Sequence, residues 1–339
     1  MRERRLAMVI RTGQIAICLA VALAAGGSAA GFEIAFVSDR DGSADIYVVN
    51  DDGSNLRHFV SHEAYDTSPA WSPDGAQMLF LSDRDGTPDV HICDARGRGV
   101  RNITRSDAFE DSPGWSPDGR QIVFVSDREG DLEVYVAAAD GSDVRSMTAD
   151  REWDGYPAWS LRGDLIAWVT DREENQEVVV AAPDGSQMRF VAPHPAWDGD
   201  PTFSPDGAEL AFRTHRDGNI SVYICDLATG GLRNISGTEG WSEAPAWSPD
   251  GGRIAFASSP AANREIVVAE AASGALTNIT NASSNEWLPR WSPDGAKIAF
   301  ISDRAGDLRL YVANADGSGV IEVGGGPVLD VPVSWRPQP

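Results

Sequence analysis

A tryptophan returns every 44 residues along this chain, at Trp71, Trp115, Trp159, Trp247, Trp291 and Trp335, with Phe203 in the one remaining slot. A self-similar unit of about 40 to 50 residues made of short strands and tight turns is the mark of a β-propeller blade. The second unit shows the pattern. Trp71 ends an inner strand, Ser72, Pro73, Asp74 and Gly75 form a turn, and Met78 to Ser82 is a short apolar strand. Asp83, Arg84, Asp85 and Gly86 turn again, Val90 to Cys93 alternates as a third strand, and a fourth ends near Ile103 and Thr104. The apolar strand occurs seven times, first at Ile34 to Ser38 and last at Ile298 to Ser302, so seven blades are expected.

The ring must close, and the arithmetic says how. Residues 32–339 number seven times 44, yet nothing like Trp-Ser-Pro-Asp-Gly precedes Phe32, and the chain ends just after Trp335. The C-terminal segment Val331 to Trp335 is therefore expected to supply the inner strand of blade one and to remove an open sheet edge. The repeated tryptophans are expected to pack between neighbouring sheets, with Phe203 keeping the apolar bulk and losing only the indole N–H.

Residues 1–30 read differently from the rest. Arg2, Arg4, Arg5 and Arg11 precede the apolar run Ile15 to Ala25, followed by Gly26, Gly27, Ser28, Ala29 and Ala30. This is the pattern of a secretory signal peptide cleaved after Ala30, with an apolar stretch shorter than the roughly 20 residues of a membrane-spanning helix. The expected product is a soluble, exported, monomeric propeller over residues 31–339. The whole chain carries a formal charge of −23, and loss of the four arginines and one glutamate of the leader takes this to −26. Such a field disfavours nucleic acid and anionic lipid and favours a cationic partner. Cys93 and Cys225 occupy one blade slot three blades apart, too far for a disulfide, and are expected as small buried residues.

The string Pro-Ala-Trp-Ser-Pro-Asp-Gly at Pro69 to Gly75 and Pro245 to Gly251, with Ser-Asp-Arg at Ser38, Ser82, Ser126 and Ser302, strongly resembles the TolB-like propeller repeat. The resemblance covers residues 32–339. It implies a periplasmic location and a binding role, since TolB belongs to the Tol-Pal envelope system and its propeller binds the lipoprotein Pal. TolB has six blades and an N-terminal α/β domain, so seven blades here point to a relative rather than an orthologue. The repeats are also similar to those of prolyl-oligopeptidase propellers and of oligogalacturonate lyase.

Candidate functional residues lie in the loops that lead into the inner strands and gather at one mouth of the channel. Five residues before each key aromatic stand Asp66, Glu110, Asp154, Asp198, Ser242, Glu286 and Asp330. One residue earlier, five consecutive blades carry an aromatic: Tyr65, Phe109, Trp153, Trp197 and Trp241. Indoles flanked by carboxylates, including Asp154, Asp198 and Glu243, suit a sugar ring or a cationic side chain. The carboxylates could equally serve as turn caps in every blade, and the tryptophans could pack over the blade tops. No metal or cofactor is expected, because inter-sheet spacings of roughly 10 Å exceed the 2.3–2.6 Å of calcium–oxygen bonds and the Asp-Arg-x-Gly turns lack the full set of calcium ligands. In blade six that turn pattern is replaced by Ser259, Pro260 and Ala261, which marks a loop remodelled for a partner.

The five histidines, His58, His62, His91, His194 and His215, are scattered rather than converging on one site, and no Gly-x-Ser-x-Gly elbow occurs. The leading expectation is a non-enzymatic module that binds an envelope protein or glycan. The alternative is a carbohydrate-active lyase or glycosidase using mouth carboxylates such as Asp154 and Asp198.

Overall fold

The computed structural model describes residues 31–149, 151–172, 174–237, 239–260 and 263–338. The proposed leader, residues 1–30, lies outside them. Seven four-stranded antiparallel sheets make up the described chain. Each blade runs inner strand, Met78-type strand, Val90-type strand and a short outer strand, as in Asp66–Trp71, Gln77–Ser82, Asp89–Asp94 and Arg101–Asn102. The outer strands span only two to four residues, which leaves little free edge for unwanted pairing.

Blade one is closed by Ser334–Trp335, which pairs with Ile34 and Ala35 of the strand Glu33–Ser38. The paired segment is shorter than Val331 to Trp335, because Pro332 has no N–H to give a ladder. Other contacts extend the clasp on both sides. Leu329 N–H donates to Val37 O at 2.9 Å and Arg336 N–H to Glu33 O at 2.8 Å. The Arg336 guanidinium pairs with Glu33 at 2.5 Å and lies 4.9 Å from the Trp71 ring centroid, tying the last residues to blade two.

The key aromatics are core residues: Trp115, Trp291 and Trp335 are each 1% exposed. Their indole N–H groups reach the preceding blade. Trp115 donates to Ala70 O, Trp291 to Ala246 O and Trp335 to Arg290 O, each at 3.0 Å, and Trp247 to Thr202 O at 3.2 Å. A single residue thus fills the inter-blade core and pins the neighbouring inner strand. Phe203, 6% exposed, fills the same place without the pin. Cys93 and Cys225 are free and buried, as their slot requires.

Ser-Asp-Arg acts as a three-part latch where it meets an acid at the head of the inner strand. In blade two the Ser82 hydroxyl accepts from Arg84 Nε at 2.8 Å, Asp83 accepts the main-chain N–H of Tyr65 at 2.8 Å, and Arg84 reaches Asp66 at 2.9 Å. The same ion pair joins Glu110 to Arg128, Asp154 to Arg172, Asp198 to Arg216 and Glu286 to Arg304 at 2.9–3.1 Å. These carboxylates are not in the approach loops. Each is the first residue of its inner strand and is fully or almost fully buried. Their partners are arginine side chains rather than turn amides, because the 18-residue offset brings the next turn over the strand's first residue.

Several of these buried acids also face a second carboxyl on the preceding blade. Burial, then the hydrogen bond and charge of Asp89, pushes Glu110 up to about 7, and burial with the charge of Glu177 pushes Asp198 up to about 7 despite Arg216.

Two predictions follow from this packing. Deleting residues 329–339 lowers the melting temperature sharply, since it opens blade one and removes Trp335 from the interface with blade seven; an unchanged thermal melt contradicts the clasp. Because Glu110 and Asp198 hold their protons more tightly folded than unfolded, their contribution is full below the unfolded carboxyl range near pH 4 and is lost as pH rises through about 7. Melting temperature is therefore higher at pH 5.5 than at pH 8, and Glu110→Gln flattens that slope.

Candidate functional site

The mouth residues begin with their backbone. The main chain at the aromatic slot is held in both directions by the Asp-Arg turn of its own blade. In blade four Trp153 N–H donates to Asp171 Oδ1 at 2.7 Å and Trp153 O accepts from Asp171 N–H at 3.1 Å. In blades five and six, where His215 and Ser259 replace the aspartate, the carbonyls of Trp197 and Trp241 still accept from their N–H groups at 3.0 and 2.7 Å. The loops are fixed platforms, and the side chains they carry are free to differ.

They do differ. Trp197 is 58% exposed, Trp241 53% and Tyr65 50%. Among the described residues, Trp197 meets one ring, that of His215, at 6.1 Å and tilted. Trp153 behaves otherwise: its indole folds down over Gly155, where a Cβ would stand 2.6 Å from the ring, and meets Tyr156 edge-on at 5.5 Å. Phe109 is half-buried. The aromatic slot therefore divides into three displayed rings and two that pack.

The carboxylates divide as well. Asp154 and Asp198 are at most 1% exposed; Asp154 also accepts from Trp168 Nε1 at 2.9 Å. Neither stands beside an exposed indole as an open acceptor. Glu243 lies elsewhere, on the channel wall, paired with Arg264 at 3.2 Å.

That wall holds the residues that sequence reasoning did not single out. In six inner strands the register with the next strand slips after the second residue, and the third takes a positive φ: Ser68, Ser112, Tyr156, Asp200, Ala244 and Leu288, at 51–56°. A bulge of this kind re-aims a side chain, here on the innermost strand. Glycine at 199 leaves space that the Arg213 guanidinium fills, a Cβ there standing 2.9 Å from its Nε. Arg213 in turn pairs with Asp200 at 3.3 Å, and the Asp200 side chain is only 7% exposed. Asp200 and then Glu243 hold the Arg213 guanidinium charged, above its usual range. Arg290, on blade seven, feels the charge of Asp200, yet burial draws it down to about 10. Asp111, on blade three, is pushed up to about 6 by burial, with only the Ser112 N–H at 2.7 Å opposing.

The signal for these residues was the register itself. Arg213 sits in a slot filled by Val, Leu, Ala or Ile in the other six blades, and Arg290 in one filled by Ala, Gly, Thr or Ser. Arg264 replaces Ala44, Pro88, Leu132, Gln176, Ile220 and Leu308, and Trp287 stands where blades four and five have glycine.

Among the described residues no cluster of His, Cys, Asp or Glu has the makings of a metal site, and no helix is long and apolar enough to cross a membrane.

Comparison with known proteins places this geometry in a family. No curated protein matches the chain by sequence. Among solved structures, a TolB from Agrobacterium tumefaciens is 24% identical, with a TM-score of 0.55 over 67% of this chain and 85% of that one. An oligogalacturonate lyase in complex with manganese is 16% identical, with a TM-score of 0.70 over 83% of this chain and 85% of the other. A puromycin-hydrolysing peptidase from Mycobacterium tuberculosis is 15% identical, with a TM-score of 0.67 over 91% of this chain but only 56% of the peptidase. At these identities the likeness is one of fold. The TolB β-propeller domain matches at residues 9–103, 85–196 and 199–337, and the chain belongs to that family.

Proposed function

We propose that this protein is an exported, non-enzymatic binding module of the cell envelope that takes a protein or glycan partner at the rim bearing Tyr65, Trp197 and Trp241. The observation that carries this reading is the exposure of more than half of Trp197 and Trp241 on adjacent blades, with both backbones locked by the turn beneath. Large aromatics held rigidly in water cost solubility and lose little entropy on binding, which is the economy of an interaction hot spot. The acidic surface favours a partner with cationic groups, which an indole face also attracts.

The enzymatic alternative needs mouth carboxyls that meet a substrate. Asp154 and Asp198 are buried beneath Arg172 and Arg216, and a buried acid with a committed arginine is poorly placed to protonate a leaving group or attack a sugar. The chain also spans only about half the length of the peptidases it resembles in fold, which argues against borrowing their activity. Periplasmic location is consistent with the basic, then apolar, then small-residue pattern of residues 1–30.

The double variant Trp197→Ala/Trp241→Ala tests the reading. Neither ring is part of an inter-blade cluster, so the melt stays within a few degrees of wild type. Affinity capture from an envelope extract is expected to retain a partner on the wild-type protein and lose it on the variant. Equal capture by both proteins rejects the rim as the binding surface.

A further inference from the structure

The channel wall of blades five to seven carries charges that the propeller itself does not need. A guanidinium in a slot that the other six blades fill with uncharged side chains brings a desolvation cost and adds nothing to the repeat's packing. Three such arginines, Arg213, Arg264 and Arg290, fall in one sector of one ring. They do not form a cationic patch. Arg213 pairs with Asp200 and Arg264 with Glu243 at 3.3 and 3.2 Å, Asp200 also acts on Arg290, and Asp330 acts on both Arg264 and Glu243. Acidic and basic groups are thus interleaved in this sector: Asp200 is paired with Arg213 and Glu243 with Arg264, with Arg290 and Asp330 acting on them.

This arrangement selects a ligand class. With three positive and three negative groups interleaved, an ionic ligand meets as much repulsion as attraction, so the wall offers little net Coulomb energy to either sign. It offers many hydrogen bonds instead. Guanidinium N–H groups donate in a planar fork and carboxylates accept, side by side. One acceptor is visibly underused: Asp200 Oδ2 is buried and receives no hydrogen bond among the described residues, although Arg213 lies within ion-pair range. Aromatic surface stands beside these polar groups. Trp287 is half-buried on the blade-seven inner strand, with Arg264 over its ring at 5.9 Å, and Tyr156 lies near Arg213. Neighbouring hydroxyls that both donate and accept, on a ring with an apolar face, match such a surface.

We propose that the channel wall formed by Asp200, Arg213, Glu243, Arg264, Trp287 and Arg290 is a binding site for an uncharged saccharide. Its hydroxyls donate to Asp200 and Glu243 and accept from Arg213 and Arg290, and its C–H face lies against Trp287. The site uses none of the rim rings Tyr65, Trp197 and Trp241, so it stands apart from the partner surface proposed above.

The test is calorimetry and tryptophan emission with four trisaccharides: cellotriose and tri-N-acetylchitotriose as neutral probes, trigalacturonate as the anion and triglucosamine as the cation. At least one neutral probe is expected to bind, at least tenfold more tightly than either charged probe, with affinity nearly unchanged between 0.05 and 0.5 M salt. Asp200→Asn, isosteric with the original, and Arg290→Gln, which removes the guanidinium, each weaken it more than tenfold. Trp287→Phe, which keeps the core contact, also weakens it and serves if either polar variant fails to fold. Trp197→Ala/Trp241→Ala leaves it unchanged, which separates this site from the rim. Tighter binding of a charged trisaccharide, no binding of either neutral probe, or full affinity in Asp200→Asn and Trp287→Phe overturns the proposal.

Discussion

Everything in this molecule hangs on one contact repeated around a ring: an aromatic at the end of an inner strand, packed between two sheets. In blades one, three, six and seven the indole N–H of that tryptophan reaches the preceding blade. A blade cannot bury both its faces alone, so its stability is a property of its interfaces. Truncating such an aromatic costs about 3 to 5 kcal/mol, a large part of the 5 to 15 kcal/mol by which a typical domain is stable. The same logic explains the clasp. A ring with one unclosed interface has two exposed faces, and Ser334–Trp335, with two ladder pairs and the Arg336 contacts, is the short segment that prevents this.

What could be read from the sequence follows from that repetition. The blade number, the closure by the C-terminal strand and the buried free cysteines were legible because each is fixed by a slot seen seven times. The partner of the inner-strand carboxylates was not read, although a trace of it was present. Blade six, the one blade with Ser242 in place of the acid, also has Pro260 in place of the arginine. There two hydroxyls, Ser242 and Ser258, face each other at 2.9 Å instead. Joint loss of two residues 18 apart is the mark of a pair, and a reading that treats each slot by itself passes over it. Blade one breaks the pair differently: Arg40 turns to Pro327 O, which the irregular segment before the clasp brings within 3.4 Å.

The aromatics of the mouth show the limit of pattern. Trp153 and Trp197 occupy equivalent slots with nearly equal neighbours in sequence, Asp-Gly-Tyr-Pro and Asp-Gly-Asp-Pro. One folds inward and the other stands in water. The difference lies in what fills the space above the glycine: Tyr156 leaves it to the Trp153 indole, whereas Asp200 draws Arg213 over Gly199 and closes it to Trp197. Exposure of Trp197 is thus a consequence of an ion pair formed with a different strand, and no local reading of the loop contains it.

The same substitution links rim and channel. An aspartate at the bulge of blade five brings in Arg213, and the filled space over Gly199 leaves the neighbouring indole outside. The displayed Trp197 above and the Asp200–Arg213 ion pair below are therefore linked. Neither residue contributes to the inter-blade aromatic contacts that hold the ring. A scaffold whose stability is carried by repeated slots can accept such changes at its innermost strands without loss of fold, because the bulge already places that residue off the ladder. The seventh part of the ring that departs most from the repeat is, for that physical reason, where selection for binding could act most freely.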